Sequence, residues 1–137
     1  MNLTVSFAAD PLPSPVESVS GLDAPESWGR WSNDGRVTVR FSRELPERFQ
    51  MRIACAVASA NVGRVITVLA GRCCRRFVST RTLSRGLEIA SLAFRCTESA
   101  RSVEILLPDY ERGGVIDTRP LGLALSSLTI EETPAHG

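Results

Sequence analysis

Most of the chain alternates apolar and polar residues with a period of two, the pattern of β-strands that have one buried face. The alternation is clearest in RVTVRFS (36–42) and FQMRIACAVA (49–58), where every second side chain is apolar. Turn-forming residues separate such segments from one another. Eight segments are predicted as strands: 3–8, 36–42, 49–58, 64–71, 72–80, 87–96, 102–108 and 121–132.

Three local features refine this prediction. LEIASLAFRC (87–96) carries apolar residues on both faces, which predicts a strand with neither face fully exposed to water. LGLALSSLTIEE (121–132) keeps its alternation except at Ser126 and Ser127, where we expect an irregularity. SNDG (32–35) has the residues of a hairpin turn.

The predicted fold class is all-β: a single antiparallel β-sandwich, jelly-roll-like, of about eight strands. No segment combines helical periodicity with helix caps. Residues 1–19 are predicted to be an N-terminal strand and a proline-rich linker without regular structure, because PLPSPVES has three prolines in five residues. Residues 20–131 form the sandwich, and residues 132–137 form a flexible C-terminal tail.

The length of 137 residues fits one domain, which buries enough surface to fold without disulfides or structural metals. No run of 18 or more apolar residues occurs, so no membrane span is predicted. The N-terminus lacks the basic region of a signal peptide. We therefore expect a cytoplasmic protein, with a chain that begins after processing or another export route as alternatives.

Positive charge is concentrated in the middle of the chain. All sixteen basic residues are arginine. Residues 64–101 carry eight Arg against two Glu, a local charge of +6, whereas residues 102–137 have a local charge of −4. Two interpretations stay open: a basic face for an anionic partner, or arginines on solvated strand faces that meet acids from the C-terminal part.

The four cysteines indicate no metal site. No CxxC occurs, and the single histidine, His136, lies next to the C-terminus, which argues against structural zinc. We expect no cofactor and free thiols. The alternative is a Cys55–Cys96 bridge if the protein is exported.

Enzyme motifs are missing. The sequence has no glycine-rich phosphate loop and no GxSxG elbow, and its carboxylate pairs lie in turns or at strand ends. A nucleic-acid partner is also not favoured, because the Arg-rich middle offers only Phe77 and Phe94 for stacking, both in core-like alternation. The chain is therefore predicted to be a non-catalytic binding or interaction domain.

Both tryptophans lie in PESWGRWSNDG (25–35). Sugars stack their apolar ring faces on flat aromatic side chains, so the pair is a candidate glycan platform; burial in the core is the alternative. In an extended segment Trp28 and Trp31 point to opposite faces, which predicts one anchored in the core and one near the surface. In a single helical turn they share one side.

Several motifs occur in an order that resembles a known family. They are GL-DAPESWGRWS, VTVRF, Leu45–Pro46, Asn61-x-Gly63, a strand ending at Pro108, and DTRPLGLAL (117–125). Together they resemble a β-sandwich domain of unknown function at the C-terminal end of bacterial membrane phosphoglycerol transferases, which decorate periplasmic glucans in Proteobacteria. Similar copies occur in small uncharacterised bacterial proteins. The resemblance implies a sandwich close to a glycan, in the periplasm or at the cell surface; the transferase chemistry belongs to a separate catalytic domain and does not carry over.

Two hypotheses follow. The first is a non-catalytic module that binds glycans or anionic glycan-linked groups, with an exposed tryptophan in a polar groove. The second is a protein-interaction or structural domain with no small ligand, with buried tryptophans and an apolar patch or open sheet edge elsewhere. Arg30, Asp117 and Arg119 are also expected to form a structural ion-pair cluster, and Asn61 to shape a loop. The ligand-binding candidates are Trp28, Arg30, Trp31, Asn61, Asp117 and Arg119.

Overall fold

Two antiparallel sheets packed face to face make up the computed structural model, which describes residues 1–108 and 122–134. This arrangement confirms the predicted all-β sandwich. The described residues form ten strands and two short 3-10 turns at Ser59–Asn61 and Leu83–Arg85. None of the described helical segments has the length or the apolar composition needed to cross a membrane.

The strands of sheet A are β1 (Asn2–Ser6), β3 (Arg30–Trp31), β5 (Arg48–Val57), β8 (Glu88–Arg95) and β10 (Leu123–Glu132). Those of sheet B are β2 (Val16–Ser20), β4 (Arg36–Phe41), β6 (Val65–Ala70), β7 (Cys73–Val78) and β9 (Ser102–Leu106). Sheet A has the order β1-β10-β5-β8, and the short strand β3 also pairs with β10, beyond the end of β1. Sheet B has the order β2-β4-β9-β6-β7.

The core lies between the sheets and is built from the apolar face of each alternating strand. In β5 the inward residues are the predicted ones, from Phe49 to Val57, and in β4 they are Val37, Val39 and Phe41, all buried. Phe49 stacks on Phe94 of β8 with ring centroids 5.1 Å apart. Because burial of apolar area dominates folding, this single contiguous core explains why the alternation predicts the fold.

The expected irregularity in the last strand is confirmed. The register between β10 and β5 shifts between Leu125 and Ser127, which leaves Ser126 as the extra residue of a bulge. The prediction for LEIASLAFRC is wrong: Ile89 is 65% exposed, and Ser91 and Ala93 are exposed as well. The physical reason is that β8 is the last strand on its side of sheet A, so the outward side chains of these residues stay exposed in the described part of the chain.

The two strands missing from the prediction are β2 and β3. The proline-rich segment was expected to lack regular structure, but its last residues begin β2, which pairs with β4, and the predicted boundary at residues 19 and 20 falls inside this strand. The hairpin predicted at SNDG is wrong as well. The strand before it, β3, lies in sheet A and the strand after it, β4, lies in sheet B, so SNDG crosses between the sheets.

A Cys55–Cys96 bridge is excluded by the register of β5, and all four cysteines are free. The Cys96 N–H donates to Glu47, which lies eight residues from Cys55 along the chain leading into β5, or about 26 Å at about 3.3 Å per residue. A disulfide needs Cα atoms within about 7 Å.

Burial, with Glu88 nearby, raises the pKa of the Cys55 thiol to about 12, and burial beside Cys73 raises the pKa of Cys96 to about 11.

Candidate functional site

The tryptophan motif folds as a small hairpin beside sheet A. At its tip, the Glu26 N–H donates to the Gly29 carbonyl (2.7 Å) and the Gly29 N–H donates to the Glu26 carbonyl (3.2 Å). Ser27 and Trp28 are therefore the two loop residues of a tight turn. Gly29 has φ +146°, in the region that favours glycine, and it packs directly on the backbone of β10.

The two tryptophan rings contact each other edge to face. Their centroids are 5.5 Å apart, the ring planes meet at 79°, and both side chains are partly exposed. The prediction that the pair would be split between core and surface is wrong, because the chain is not extended at this point. The turn at Glu26–Gly29 folds Trp28 back toward Trp31, and neither ring is buried in the core.

Trp31 lies on the outer face of sheet A. In the register of the sheet it stands opposite Ala124, and Ala124 in turn stands opposite Ala56. Both alanines are fully buried although they lie on the outward face of their strands. Two residues from Ala56 along β5, and on the same face, Ala54 stands opposite the exposed Ile89 of β8. This end of the outer face is therefore apolar, and sequence reasoning missed it; alanine at outward positions of alternating strands is the signal that could have found it.

Arg30 points to the other side of β3, since neighbouring residues in a strand alternate. Its Nε donates to the Phe7 carbonyl (2.9 Å) and its Nη2 donates to the Ala9 carbonyl (2.8 Å). These bonds fasten the segment after β1 to β3. The expected cluster with Asp117 and Arg119 falls on residues outside the described part of the chain.

Replacing Arg30 by methionine tests this role. The variant keeps the aliphatic stem but loses two charge-assisted hydrogen bonds, so we expect the free energy of unfolding to fall by about 2 kcal/mol, measured by urea denaturation. Arg40→Met is the control, because Arg40 is exposed and its Glu17 partner is 3.6 Å away, and it should cost less than about 0.5 kcal/mol. Equal losses in the two variants would contradict the assignment.

Asn61 lies at the same end of sheet A as the tryptophans. Its Nδ2 donates to the Gly122 carbonyl at 3.3 Å. The hydroxyl oxygen of the buried Ser32, which follows Trp31, accepts hydrogen bonds from the N–H groups of Gly122 (3.3 Å) and Leu123 (2.9 Å). Asn61 and Ser32 thus hold the start of β10 from two sides, and β10 carries the alanine that faces Trp31.

A second polar cluster surrounds Glu88, where β8 begins. One carboxylate oxygen accepts from the Ser79 hydroxyl (2.5 Å) and from the Thr80 N–H (2.7 Å). The Ser79 bond, together with those from Thr80 and the charge of Arg81, lowers the pKa of Glu88 despite partial burial. A carboxylate held ionised in this way suits a structural bond better than general acid catalysis.

The lowered pKa of Glu88 makes stability depend on pH. Its stabilisation is present above the unfolded pKa, about 4.3, and is lost as pH falls through the lower folded pKa. We expect Glu88→Gln to lower the free energy of unfolding by about 1 kcal/mol at about pH 7, with the difference shrinking below about pH 4. Urea titrations of both proteins at the two pH values measure it. A difference that does not change with pH would show that ionisation of Glu88 is irrelevant.

The described residues give little support for a metal site or for Cys55 or Cys96 as a nucleophile. Across 1–108 and 122–134, no three His, Cys, Asp or Glu side chains are grouped so that they could hold a metal ion. The raised pKa values keep Cys55 and Cys96 as neutral thiols near neutral pH, and thiols in that form are poor nucleophiles.

Curated relatives of this chain include enzymes that are much longer than it is. Phosphoglycerol transferase I of Citrobacter koseri is 29% identical in an alignment of 131 positions, which covers 91% of this chain and 17% of the transferase. Phosphoglycerol transferase I of Escherichia fergusonii is 28% identical with the same coverage. The chain therefore spans about one sixth of these relatives, and the match lies in their C-terminal region.

Solved structures with a similar fold include carbohydrate-binding modules. The C-terminal CBM6 of LamC, a marine laminarinase from Zobellia galactanivorans, has a TM-score of 0.60 at 9% identity and covers 96% of this chain and 100% of that chain. The unliganded CBM1 of BiXyn10A has a TM-score of 0.57 at 6% identity, covering 96% and 97%. At such low identity the likeness shows the fold alone.

A family model confirms the resemblance that the WGRWS and D-x-R-x-L-G motifs indicate. It matches residues 2–132, which includes both strands that precede the tryptophan motif. The C-terminal region of the phosphoglycerol transferases matches 91% of the chain. The chain belongs to the family described as domain of unknown function DUF7024.

Proposed function

We propose that the chain is a non-catalytic glycan-binding module whose platform is the Trp28–Trp31 pair. The observation that carries the proposal is the geometry of this pair: two partly exposed rings in edge-to-face contact, on the apolar end of an outer sheet face. A sugar ring has apolar C–H faces that pack on an aromatic face, and two rings at a steep angle form a corner that fits such a face.

The surroundings of the pair support this proposal. The residues that follow Trp31 across the register of sheet A are the small alanines at positions 124 and 56. Asn61 at the same sheet end carries an amide whose oxygen and second N–H suit sugar hydroxyls. Arg30 stabilises the fold, whereas Asp117 and Arg119 stay ligand-binding candidates from the sequence alone, with an ion-pair cluster as their alternative role.

The solved structures of similar fold and the curated relatives both support a glycan as the class of ligand. The similar folds include modules named for carbohydrate binding, and the curated relatives are named phosphoglycerol transferase I, the class of enzyme whose C-terminal domain the sequence motifs resemble. In such an enzyme a separate sandwich that binds the glucan would keep it close to the catalytic domain. The local concentration of the acceptor at the catalytic domain would therefore rise. Glucans are accordingly the first ligand class to test.

A glycan array probed with the labelled domain is the direct test. We expect binding to glucan oligosaccharides and loss of that binding in Trp28→Ala/Trp31→Ala. Val65→Ala is the matched control, because Val65 is 50% exposed but lies in sheet B, away from the pair. If no glycan binds, or if the double variant binds as well as the wild type, the proposal fails.

A second candidate function is protein interaction through the edge of sheet B. Val62, Val65 and Val78 are 40%, 50% and 47% exposed, Val65 stands opposite Val78 in the register, and β7 is the last strand on its side of sheet B among the described strands. An open edge with exposed apolar residues suits an added strand. This candidate is favoured if the array is empty and Val78→Lys changes the association state in light scattering.

A further inference from the structure

A groove lined by three arginines lies at the opposite end of sheet A from the tryptophans. It has a volume of about 250 Å³. It is distinct from the tryptophan site, because Arg48 lies eight residues along β5 from Ala56, or about 26 Å. Its lining residues are Arg48, Phe49, Arg75, Ala93, Phe94, Arg95 and Thr133.

Two of these arginines are paired in a way that does not help the fold. Arg48 of β5 and Arg95 of β8 stand directly opposite each other in the antiparallel ladder. Like charges at such positions repel and destabilise the sheet. The Arg48 Nε is buried and has no hydrogen-bond partner among residues 1–108 and 122–134; the exposed Glu47 carboxylate lies 3.9 Å away. A buried donor without an acceptor is costly, so a bound acceptor would relieve it.

The third arginine is fixed in place from the other sheet. Arg75 of β7 reaches across to donate from Nε to the Ala93 carbonyl (2.8 Å) and from Nη1 to the Cys74 carbonyl (2.9 Å). Its guanidinium also lies 5.9 Å from the centre of the Phe94 ring. These contacts use two of its five N–H groups and hold the others in a defined geometry. A preorganised guanidinium loses less entropy when it binds an anion.

We propose that this groove binds the phosphoryl group of a phosphate ester. The groove carries three guanidinium groups. In the described part of the chain, Glu47 is the one carboxylate within ion-pair distance of them, so an excess of about two positive charges is left at the groove. A carboxylate offers two oxygens, whereas a phosphoryl group offers three in a tetrahedral arrangement that three arginine forks can share. The concentration of arginine in residues 64–101, which supply Arg75 and Arg95, thereby acquires a specific role.

Calorimetric titration with glycerol 1-phosphate tests the proposal, with chloride adjusted to constant ionic strength. We expect binding by the wild-type domain and affinity at least roughly tenfold weaker in Arg95→Gln and in Arg48→Gln. Arg40→Gln is the matched control and should bind like the wild type, because Arg40 lies on sheet B with Glu17 as its partner. Equal affinities in all four proteins, or an equal response to acetate, would overturn the assignment.

Two further measurements separate this site from a structural cluster and from the tryptophan site. Without ligand, Arg95→Gln should melt at the same temperature as the wild type or higher, because it removes a repulsive pair; a melting temperature well below that of Arg40→Gln would contradict a binding role. Trp31→Ala should leave phosphate binding unchanged, so a negative result at the tryptophan site does not count against the arginine groove, and the reverse also holds.

The phosphate ester has two sources, a soluble ester and the headgroup of an anionic lipid. Co-sedimentation with phosphatidylglycerol vesicles, compared with phosphatidylcholine vesicles, distinguishes them. Vesicle binding that Arg95→Gln abolishes supports the groove with a lipid source, and binding to glycerol 1-phosphate without vesicle binding supports it with a soluble source. Vesicle binding that Arg95→Gln leaves intact, together with no response to glycerol 1-phosphate, overturns the proposal.

Discussion

Replacing Gly29 by alanine is expected to lower the free energy of unfolding by about 3 kcal/mol. Gly29 has φ +146°, and an added Cβ would overlap the Leu125 carbonyl oxygen and come within 2.8 Å of the Ser126 Cα. Both neighbours are backbone atoms of β10, so they cannot move aside as a flexible side chain would. The hairpin must therefore lift away from the sheet, and urea denaturation followed by circular dichroism measures the cost.

Gly63→Ala is the control for this prediction. Gly63 also has a positive φ, of 79°, but a Cβ there meets no atom within 4 Å. It should cost about 1 kcal/mol from backbone strain alone. If the two alanine variants are equally stable, close packing of Gly29 on β10 does not hold the tryptophan hairpin in place.

Trp31→Ala is expected to weaken glucan binding by roughly thirtyfold or more, the effect of removing a central aromatic contact. Trp31→Phe keeps a ring on the platform and should lose much less. Trp28→Ala should also weaken binding, because the edge-to-face contact that orients the Trp31 ring disappears with it. Isothermal titration of each variant with a glucan that binds the wild type measures these differences.

Two controls make that result specific. Val65→Ala removes exposed apolar surface from sheet B and should not change the affinity. Circular dichroism of Trp31→Ala establishes that the fold persists, since Trp31 is only partly buried. If Trp31→Ala folds and binds glucans with wild-type affinity, the ligand lies elsewhere.

Alternation of apolar residues was sufficient to predict the sandwich, because each strand that supplies the core has one inward face. Val37, Val39 and Phe41 illustrate this: all three are buried, as their spacing predicts. Short segments without such a face were missed. β3 has only two residues, and β2 follows a proline-rich stretch, so neither carries a period that could be recognised.

The candidate site was predicted in composition but not in geometry. The sequence singles out Trp28 and Trp31, yet their contact depends on the turn at Glu26–Gly29, which reverses the chain between them. Spacing rules assume a regular helix or strand, and this segment is neither. For Arg30 the sequence suggests acidic partners, whereas the structure adds two main-chain carbonyls, which have no sequence signature.

The arginine groove shows a further limit of sequence reasoning. Arg48, Arg75 and Arg95 come from three strands in two sheets, and only the register of β5 against β8 shows that two of them face each other. The sequence did predict a basic middle. It could not show which arginines pair with acids, as Arg36 does with Glu104, and which ones surround a groove.

Tryptophan fluorescence during a glucan titration tests the central claim most directly, because Trp28 and Trp31 are the only tryptophans in the chain. The account predicts emission that iodide quenches in the free protein, a shift of that emission as glucan binds, and protection from iodide in the complex. Blue-shifted emission that resists iodide and does not respond to glucans would contradict it.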